Sequence, residues 1–414
     1  MVHQTITMKI SKASKASSKI RPMQKPRFLS RRPLRVGFLM AAIVGMLAAC
    51  SVAPVVQTPT TSSPSPLPSV QNIPAMEDTR PLPPPLLREQ SRWVPVRWSE
   101  LPGLELDAIN EAWPAWLQSC QRPAPAWRAL CPEIARLANA SADEQRHWMR
   151  EKLQPYRIET LDQGTQGLLT GYYEPALTGS RRAQGVFQVP LYAPPAQLAQ
   201  RKPWFSRQEM ETLPAARAAL RGKELLYLAD PVDAMVLHIQ GSGLVNVTEP
   251  DGRQRWVRMA FAGTNNQPYK SIGRWLLDRK LITDASWPGI KAWIDRNPSR
   301  VNELLWQNPR VVFFREEALP QGTTPPGPKG AQGVPLTAER SIAVDRRSIP
   351  YGTPVWMKST GPQTSFDRLV LAQDTGTAIV GAVRADYYAG SGPAAGELAG
   401  RLKQPLQMWA LWPR

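Results

Sequence analysis

The sequence predicts a mainly β protein built around a small barrel, and three observations carry that reading. From Val334 onward the chain is a series of short sheet-like runs separated by Gly- and Pro-rich turns. The regular helix crossovers of a doubly wound fold are missing. Apolar runs also end in acids followed by turn residues, at Asp345 in SIAVDRRSIPYGTPVW and at Asp374 in LVLAQDTG, with Asp386 twelve residues further on in VRADYYAG. Strand ends hold side chains on rigid support, so these carboxylates are either turn caps or the centre of a site.

Taken in order, residues 1–49 read as a targeting segment. The first 35 residues carry ten Lys or Arg and no Asp or Glu, and the apolar run 36–49 is too short for a comfortable membrane span. The run ends in LAAC, which resembles a bacterial lipoprotein signal in which Cys50 becomes the lipid-bearing first residue. A plain secretory signal or a retained anchor is the alternative. Ser51 fits outer-membrane sorting, and Met23 offers a second candidate start. Without the ten basic residues of that segment, the formal charge of +18 drops to about +8, a mild excess suited to an anionic polymer or surface. No Lys/Arg–aromatic pattern points to nucleic acid. Residues 50–90 are Pro- and Ser-rich and read as a tether.

The folded body begins near WVPVRWSELPGL, residues 93–104. LDAINEAWPAWLQSC has helical spacing interrupted by Pro114. A second helix follows Ser141, with Glu144 placed to complete a capping box. Cys120 and Cys131 are close in sequence, and export through an oxidising compartment would pair them. PVDAMVLHIQGSGLVNV, residues 231–247, reads as strand, glycine turn and strand, with His238 in the first strand. Residues 255–279 read as a strand, a Gly/Asn turn and a helix; 286–316 read as short helices and then a strand after the Asn308–Pro309 turn. The Pro/Gly-rich stretch 317–335 is an interior boundary. His147 and His238 are too few for a histidine-rich metal site. Gly241 and Gly243 lack the spacing of a phosphate loop, and no Ser nucleophile elbow is present.

Several motifs together resemble the MltA family of membrane-bound lytic murein transglycosylases. They are GYYEP (171–175), HIQGSG (238–243), AGTNNQPYKSIGRWL (262–276), QNPRVVFFRE (307–316), GAQGVPLTAERSIAVDRRSIPYGTPVW (330–356) and AQDTGTAIVGAVRADYYAGSGPAAGELAGRLKQ (372–404). The resemblance implies a double-psi β-barrel catalytic domain with a smaller β domain inserted and a glycan groove between them. Residues 91–175 would start the barrel, 176–333 form the insert, and 334–414 complete the barrel as a 3D, or three-aspartate, part.

The resemblance further implies a lytic exotransglycosylase, a glycan lyase that cuts the MurNAc-β-1,4-GlcNAc bond of peptidoglycan and leaves 1,6-anhydromuramic ends. The sequence itself does not separate cleavage at chain ends from internal cleavage. Asp386 falls on the family's catalytic acid/base, with Asp374 and Asp345 as support. Tyr172, Tyr173, Glu174, Gln240, Ser242, Thr264, Asn265, Gln267, Tyr269 and Arg384 are expected along the groove. No metal or organic cofactor is implied. The implied setting is a lipid anchor on the outer membrane of a Gram-negative bacterium, facing the periplasm, with glycan strands and other wall-synthesis or division proteins as partners. A muramidase that adds water and a noncatalytic wall-binding lipoprotein are the competing readings.

Overall fold

The computed structural model describes residues 80–320, 325–362 and 364–414. The expected signal, Cys50 and most of the tether lie outside them. Among the described residues no helix is long and apolar enough to cross a membrane.

Strands β1 (Leu86–Leu87) and β2 (Arg92–Pro95) lead into a helical lobe of α1 (Trp113–Gln121), α2 (Cys131–Arg136) and α3 (Ala142–Lys152). Pro114 does not interrupt α1 but stands in its first turn, where the missing N–H would have had no helical acceptor. Ser141 caps α3 as the sequence predicts: its Oγ accepts the Glu144 amide at 3.3 Å, and the Glu144 carboxylate accepts the Ser141 amide at 2.8 Å. Cys120 and Cys131 form a disulfide that closes the end of α1 onto the start of α2. Trp113, Trp116, Trp127 and Trp148 pack tilted or edge-to-face, with ring centroids 5.0–6.0 Å apart, the arrangement aromatic quadrupoles favour. This cluster seals the lobe onto Trp356, Leu369 and Trp409 of the barrel.

Strand β3 (Leu153–Glu159) joins the same sheet beside the barrel, β4 (Gly167–Glu174) enters the barrel, and the chain then leaves it. The excursion contains β5 (Ala176–Ser180), β6 (Val189–Tyr192), α4 (Arg207–Thr212), α5 (Pro214–Leu220), β7 (Glu224–Leu228), α6 (Pro231–Gln240), β8 (Gly243–Thr248) and β9 (Gln254–Thr264). It ends with α7 (Ile272–Asp278), α8 (Trp287–Arg296), α9 (Val301–Leu305) and β10 (Val312–Ala318). The return carries β11 (Ser341–Val344), β12 (Pro354–Thr360), β13 (Ser365–Asp374), β14 (Arg384–Ser391), α10 (Pro393–Arg401) and β15 (Lys403–Pro413).

Two sequence readings are corrected here. Residues 231–240 form α6, not a strand. Asp230 Oδ1 accepts the Val232 amide at 2.7 Å, Pro231 opens the helix, and Gly241 ends it at φ +86°. The strand reading arose because α6 is apolar on two faces: Ala234 and Leu237 pack on the inserted sheet, while Met235 packs on α7–α9. A helix buried on both sides loses the one-sided period that would mark it. The C-terminal part also contains α10 among its strands, with Pro393 in its first turn.

One sheet runs β1-β2-β3-β15-β12-β13-β11-β14-β4, and β15 pairs with β4 as well, so six strands close into a barrel. β11 with β13 and β14 with β4 are parallel; the other barrel pairs are antiparallel. Leu169, Ile342, Val344, Val355, Met357, Val370 and Met408 fill its interior. The inserted sheet is separate, with order β10-β9-β8-β5-β7-β6.

Candidate active site

Strand register builds the site. Ala343 of β11 lies opposite Asp374 of β13 on one side and Asp386 of β14 on the other; Asp386 lies opposite Thr170 of β4. Residues aligned across neighbouring strands share a face, so Asp374, Ala343, Asp386 and Thr170 form one row. Two inter-strand steps separate the aspartates, about 10 Å between their Cα atoms. The small Ala343 leaves space between the carboxylates. The β11–β13 register slips one residue before Asp374, a bulge that turns Gln373 out of the row. Tyr172, two residues beyond Thr170 on β4, points to the same face.

The two carboxylates differ in how they are held. Asp386 Oδ1 accepts the Thr170 hydroxyl, and Thr170 Oγ1 in turn accepts Arg384 Nη2 at 2.8 Å. Among the described residues nothing occupies Asp386 Oδ2. Burial pushes its proton affinity up, with the Thr170 bond and the Arg384 charge opposing. Asp374 is held at both oxygens: Oδ1 accepts the Ala331 amide at 2.9 Å and Oδ2 accepts the Tyr172 hydroxyl at 2.9 Å. Even so, burial pushes it up to about 6; the Thr375 and Ala331 amides and Tyr172 oppose the rise, and the Asp386 charge adds to it. Both side chains keep some solvent-accessible surface, as a site open to a ligand requires. Tyr172 stacks at a tilt on Tyr388, 5.3 Å between centroids, and burial beside Asp374 raises its phenol well above the ordinary range.

Asp345 is the third aspartate, buried and fully engaged. It accepts the Arg347 amide at 3.0 Å, the Arg347 guanidinium at 2.9 and 3.1 Å, and the Gly381 amide at 3.0 Å. Burial raises its carboxyl, but the Arg347 and Gly381 bonds outweigh that and leave it below the usual value. It fixes the turn that leads into β14.

The expected groove residues divide. Tyr172 joins the aspartates, and Arg384 reaches Asp386 through Thr170. Tyr173, Thr264 and Tyr269 keep accessible surface. Gln240 Oε1 accepts the Tyr173 amide at 3.0 Å, tying α6 to β4. Ser242 is nearly enclosed beside that junction. Two residues do not line a groove. Glu174 is 0% exposed. Its carboxylate takes Arg258 Nε at 2.7 Å, Arg258 Nη2 at 3.0 Å and Ser391 Oγ at 3.0 Å. Asn265, also 0% exposed, donates to the Phe205 and Pro309 carbonyls at 3.0 and 2.8 Å and accepts the Val311 amide at 2.9 Å. Both are braces, because a buried polar group must spend its hydrogen bonds inside the protein. Gln267 braces the same turn through the Trp204 carbonyl at 2.7 Å. His238 stacks on Phe314 with centroids 5.6 Å apart and contacts Arg207 at 3.0 Å; burial holds it well below its ordinary pKa and hence neutral. Sequence reading passed over Thr170. The signal available was its place two residues before Tyr172 in a strand, which puts the two on one face.

A closed six-stranded barrel that carries two unequally held aspartates, with a β domain inserted, defines an enzyme of the double-psi barrel type. Residues 168–315 match the MltA specific insert domain, and residues 340–412 match the 3D domain. Membrane-bound lytic murein transglycosylase A of Escherichia coli K12 is 34% identical over 267 residues, 62% of this chain and 68% of that protein. The Vibrio cholerae protein of the same name is also 34% identical, and the match spans 65% of its length. Among solved structures, the lytic transglycosylase LtgG of Burkholderia pseudomallei is 44% identical with TM-score 0.55, covering 78% of this chain and 95% of that one. E. coli MltA with bound chitohexaose is 27% identical with TM-score 0.56, covering 76% and 89%. The chain belongs to the MltA family of membrane-bound lytic murein transglycosylases.

Proposed function

We propose that this protein cleaves the MurNAc-β-1,4-GlcNAc bond of peptidoglycan without adding water, with Asp386 acting first as acid and then as base. The observation that carries the reading is the inequality of the two aspartates. Asp386 has an oxygen left for a substrate, whereas both oxygens of Asp374 are occupied. A hydrolase of the usual kind needs a second free carboxylate to attack the sugar or activate water. Donors already engage both oxygens of Asp374, which favours a supporting role over either task. The family relative that holds chitohexaose supports a β-1,4-linked glycan as the ligand class.

In the proposed reaction, protonated Asp386 donates to the glycosidic oxygen as its bond to muramic C1 breaks, and the GlcNAc side leaves as an alcohol. Positive charge grows on the muramic ring. The Asp374 carboxylate, fixed by its donors, supplies opposing charge without reorganising. Asp386, now ionised, takes the proton from the muramic C6 hydroxyl, and that oxygen bonds to C1. The anhydro ring closes, no water is consumed, and Asp386 ends protonated as it began. The working state therefore holds one proton on the aspartate pair. Substrate covering the open Asp386 oxygen strips its remaining solvent and draws that proton to it.

Product mass analysis on purified peptidoglycan tests this. Native protein should release 1,6-anhydromuramic ends, and Asp386→Asn should lose about a hundredfold or more of the rate with no fall in melting temperature. Reducing muramic ends, or an active Asp386→Asn, would sink the mechanism. For the cell envelope we propose the lipid anchor at Cys50: Cys50→Ala should abolish fatty-acid labelling and move the protein from the detergent-extracted outer-membrane fraction into the soluble periplasmic one.

A further inference from the structure

We infer that Gln332, clamped by the disulfide-closed end of α1, is a positioning residue that keeps the Ala331 amide on Asp374. The inference rests on the aspartate pair acting as proposed above.

Residues 330–333, Gly-Ala-Gln-Gly, form a tight turn between the helical lobe and the barrel. The Gly330 amide donates to the Val334 carbonyl at 3.0 Å, and the Gly333 amide to the Gly330 carbonyl at 2.8 Å. Gly333 sits at φ +83°, where a side chain would be strained and would meet Arg122 Nη1 at 2.6 Å. One side of this turn presents the Ala331 amide to Asp374. The other side carries Gln332 into the lobe. Gln332 Oε1 accepts the Ser119 hydroxyl at 3.1 Å, and Nε2 donates to the Ser119 and Arg122 carbonyls, each at 3.3 Å. Those two residues bracket Cys120 of the disulfide.

The clamp is continuous with the bulge on β13. Gln373, turned out of the catalytic row, donates to Ser119 Oγ at 2.8 Å and to the Ala115 carbonyl at 2.7 Å, and accepts Ser341 Oγ at 2.5 Å. Its carbonyl takes the Gln332 amide at 3.0 Å. Ser119 thus gives its one proton to Gln332 and receives one from Gln373, a network that runs from the buried Ser119 and Gln373 to the half-buried Gln332. The lobe carries none of the aspartates, yet through Gln332 it sets where one donor of Asp374 lies.

The consequence has a definite sign. An amide bonded to a carboxylate favours the ionised form. If the turn relaxes and the Ala331 amide withdraws, Asp374 holds its proton to higher pH. The pair then loses its last proton later, and the basic limb of the kcat/KM profile moves up by about one pH unit. A residue that merely stabilised the fold would lower the melting temperature or kcat and leave that limb in place.

The test is the pH profile of kcat/KM on peptidoglycan for native protein, for Gln332→Met, which keeps side-chain length without hydrogen bonds, and for Ser119→Ala, which breaks the same clamp from the lobe side. Both variants should still make anhydro products, and both should show the limb displaced upward. If both keep the native limb while making anhydro products, the role of Gln332 is overturned. Reducing ends from native protein would instead refute the reaction, whatever the limb does.

Discussion

The Glu174–Arg258 pair joins the end of barrel strand β4 to the middle of inserted strand β9, and its removal should be costly. The pair is bidentate, at 2.7 and 3.0 Å, with side-chain exposures of 0% for Glu174 and 6% for Arg258. Glu174→Ala leaves Arg258 charged and enclosed, with the Pro326 carbonyl at 2.6 Å as its remaining side-chain partner among the described residues. Breaking one side of such a pair costs about 3–5 kcal/mol, and Arg258→Ala strands Glu174 in the same way. The double Glu174→Ala/Arg258→Ala removes both charges, so its cost should fall short of the sum of the singles by about 2–3 kcal/mol. Urea unfolding followed by tryptophan fluorescence and far-UV circular dichroism measures all three, with coincidence of the probes checked first. Single variants that cost under about 1 kcal/mol, or a strictly additive double, would refute the claim that this buried pair locks the insert to the barrel.

Two further expectations follow from the aspartate pair. The kcat/KM profile should fall as pH rises through about 6, where Asp374 ionises beside the Asp386 charge; a profile flat from pH 5 to 8 would remove the shared-proton state. Asp374→Asn should raise stability while lowering activity. The folded-state pKa of Asp374 lies above its unfolded value, so its contribution to stability is fully present below about pH 4 and is lost as pH rises through about 6. The variant should therefore be more stable than native by roughly 1–3 kcal/mol at pH 8, allowing for partial solvent exposure, and no more stable at pH 4; a variant less stable at pH 8 would show that the site is not a strained one.

Much of this architecture was legible in the chain because its signals are local. Ser141 and Glu144 announce a helix start three residues apart, and the cysteine pair closes a loop with a sequence separation of 11. Asp345 and Asp374 stand at apolar run ends, which is where β11 and β13 stop. What was hidden depends on pairing across distance. Thr170 and Asp386 are 216 positions apart and meet only through the parallel register of β4 and β14. The one-residue slip that brings Asp374 beside Ala343, and turns Gln373 toward the lobe, leaves no mark in the spacing of the acids. The family resemblance put Glu174 and Asn265 along the groove, and sequence cannot tell a solvated carboxylate or amide from one whose partners arrive from other elements. α6 was misread for the related reason that burial on two faces erases its period.

The closure of the barrel has a consequence for when the protein can act. β15 (Lys403–Pro413) pairs with β3, β4 and β12, so one late strand ties strands that precede the insert to one that follows it. Until residues 403–410 are in place, β4 lacks one neighbour and the six-stranded ring is open. A nascent or truncated chain can already contain Asp386 and its row, yet it lacks the strand that fixes β4, and with it Thr170 and Tyr172, in place. The row that holds the aspartates is therefore fixed only once β15 has joined β4 to β12.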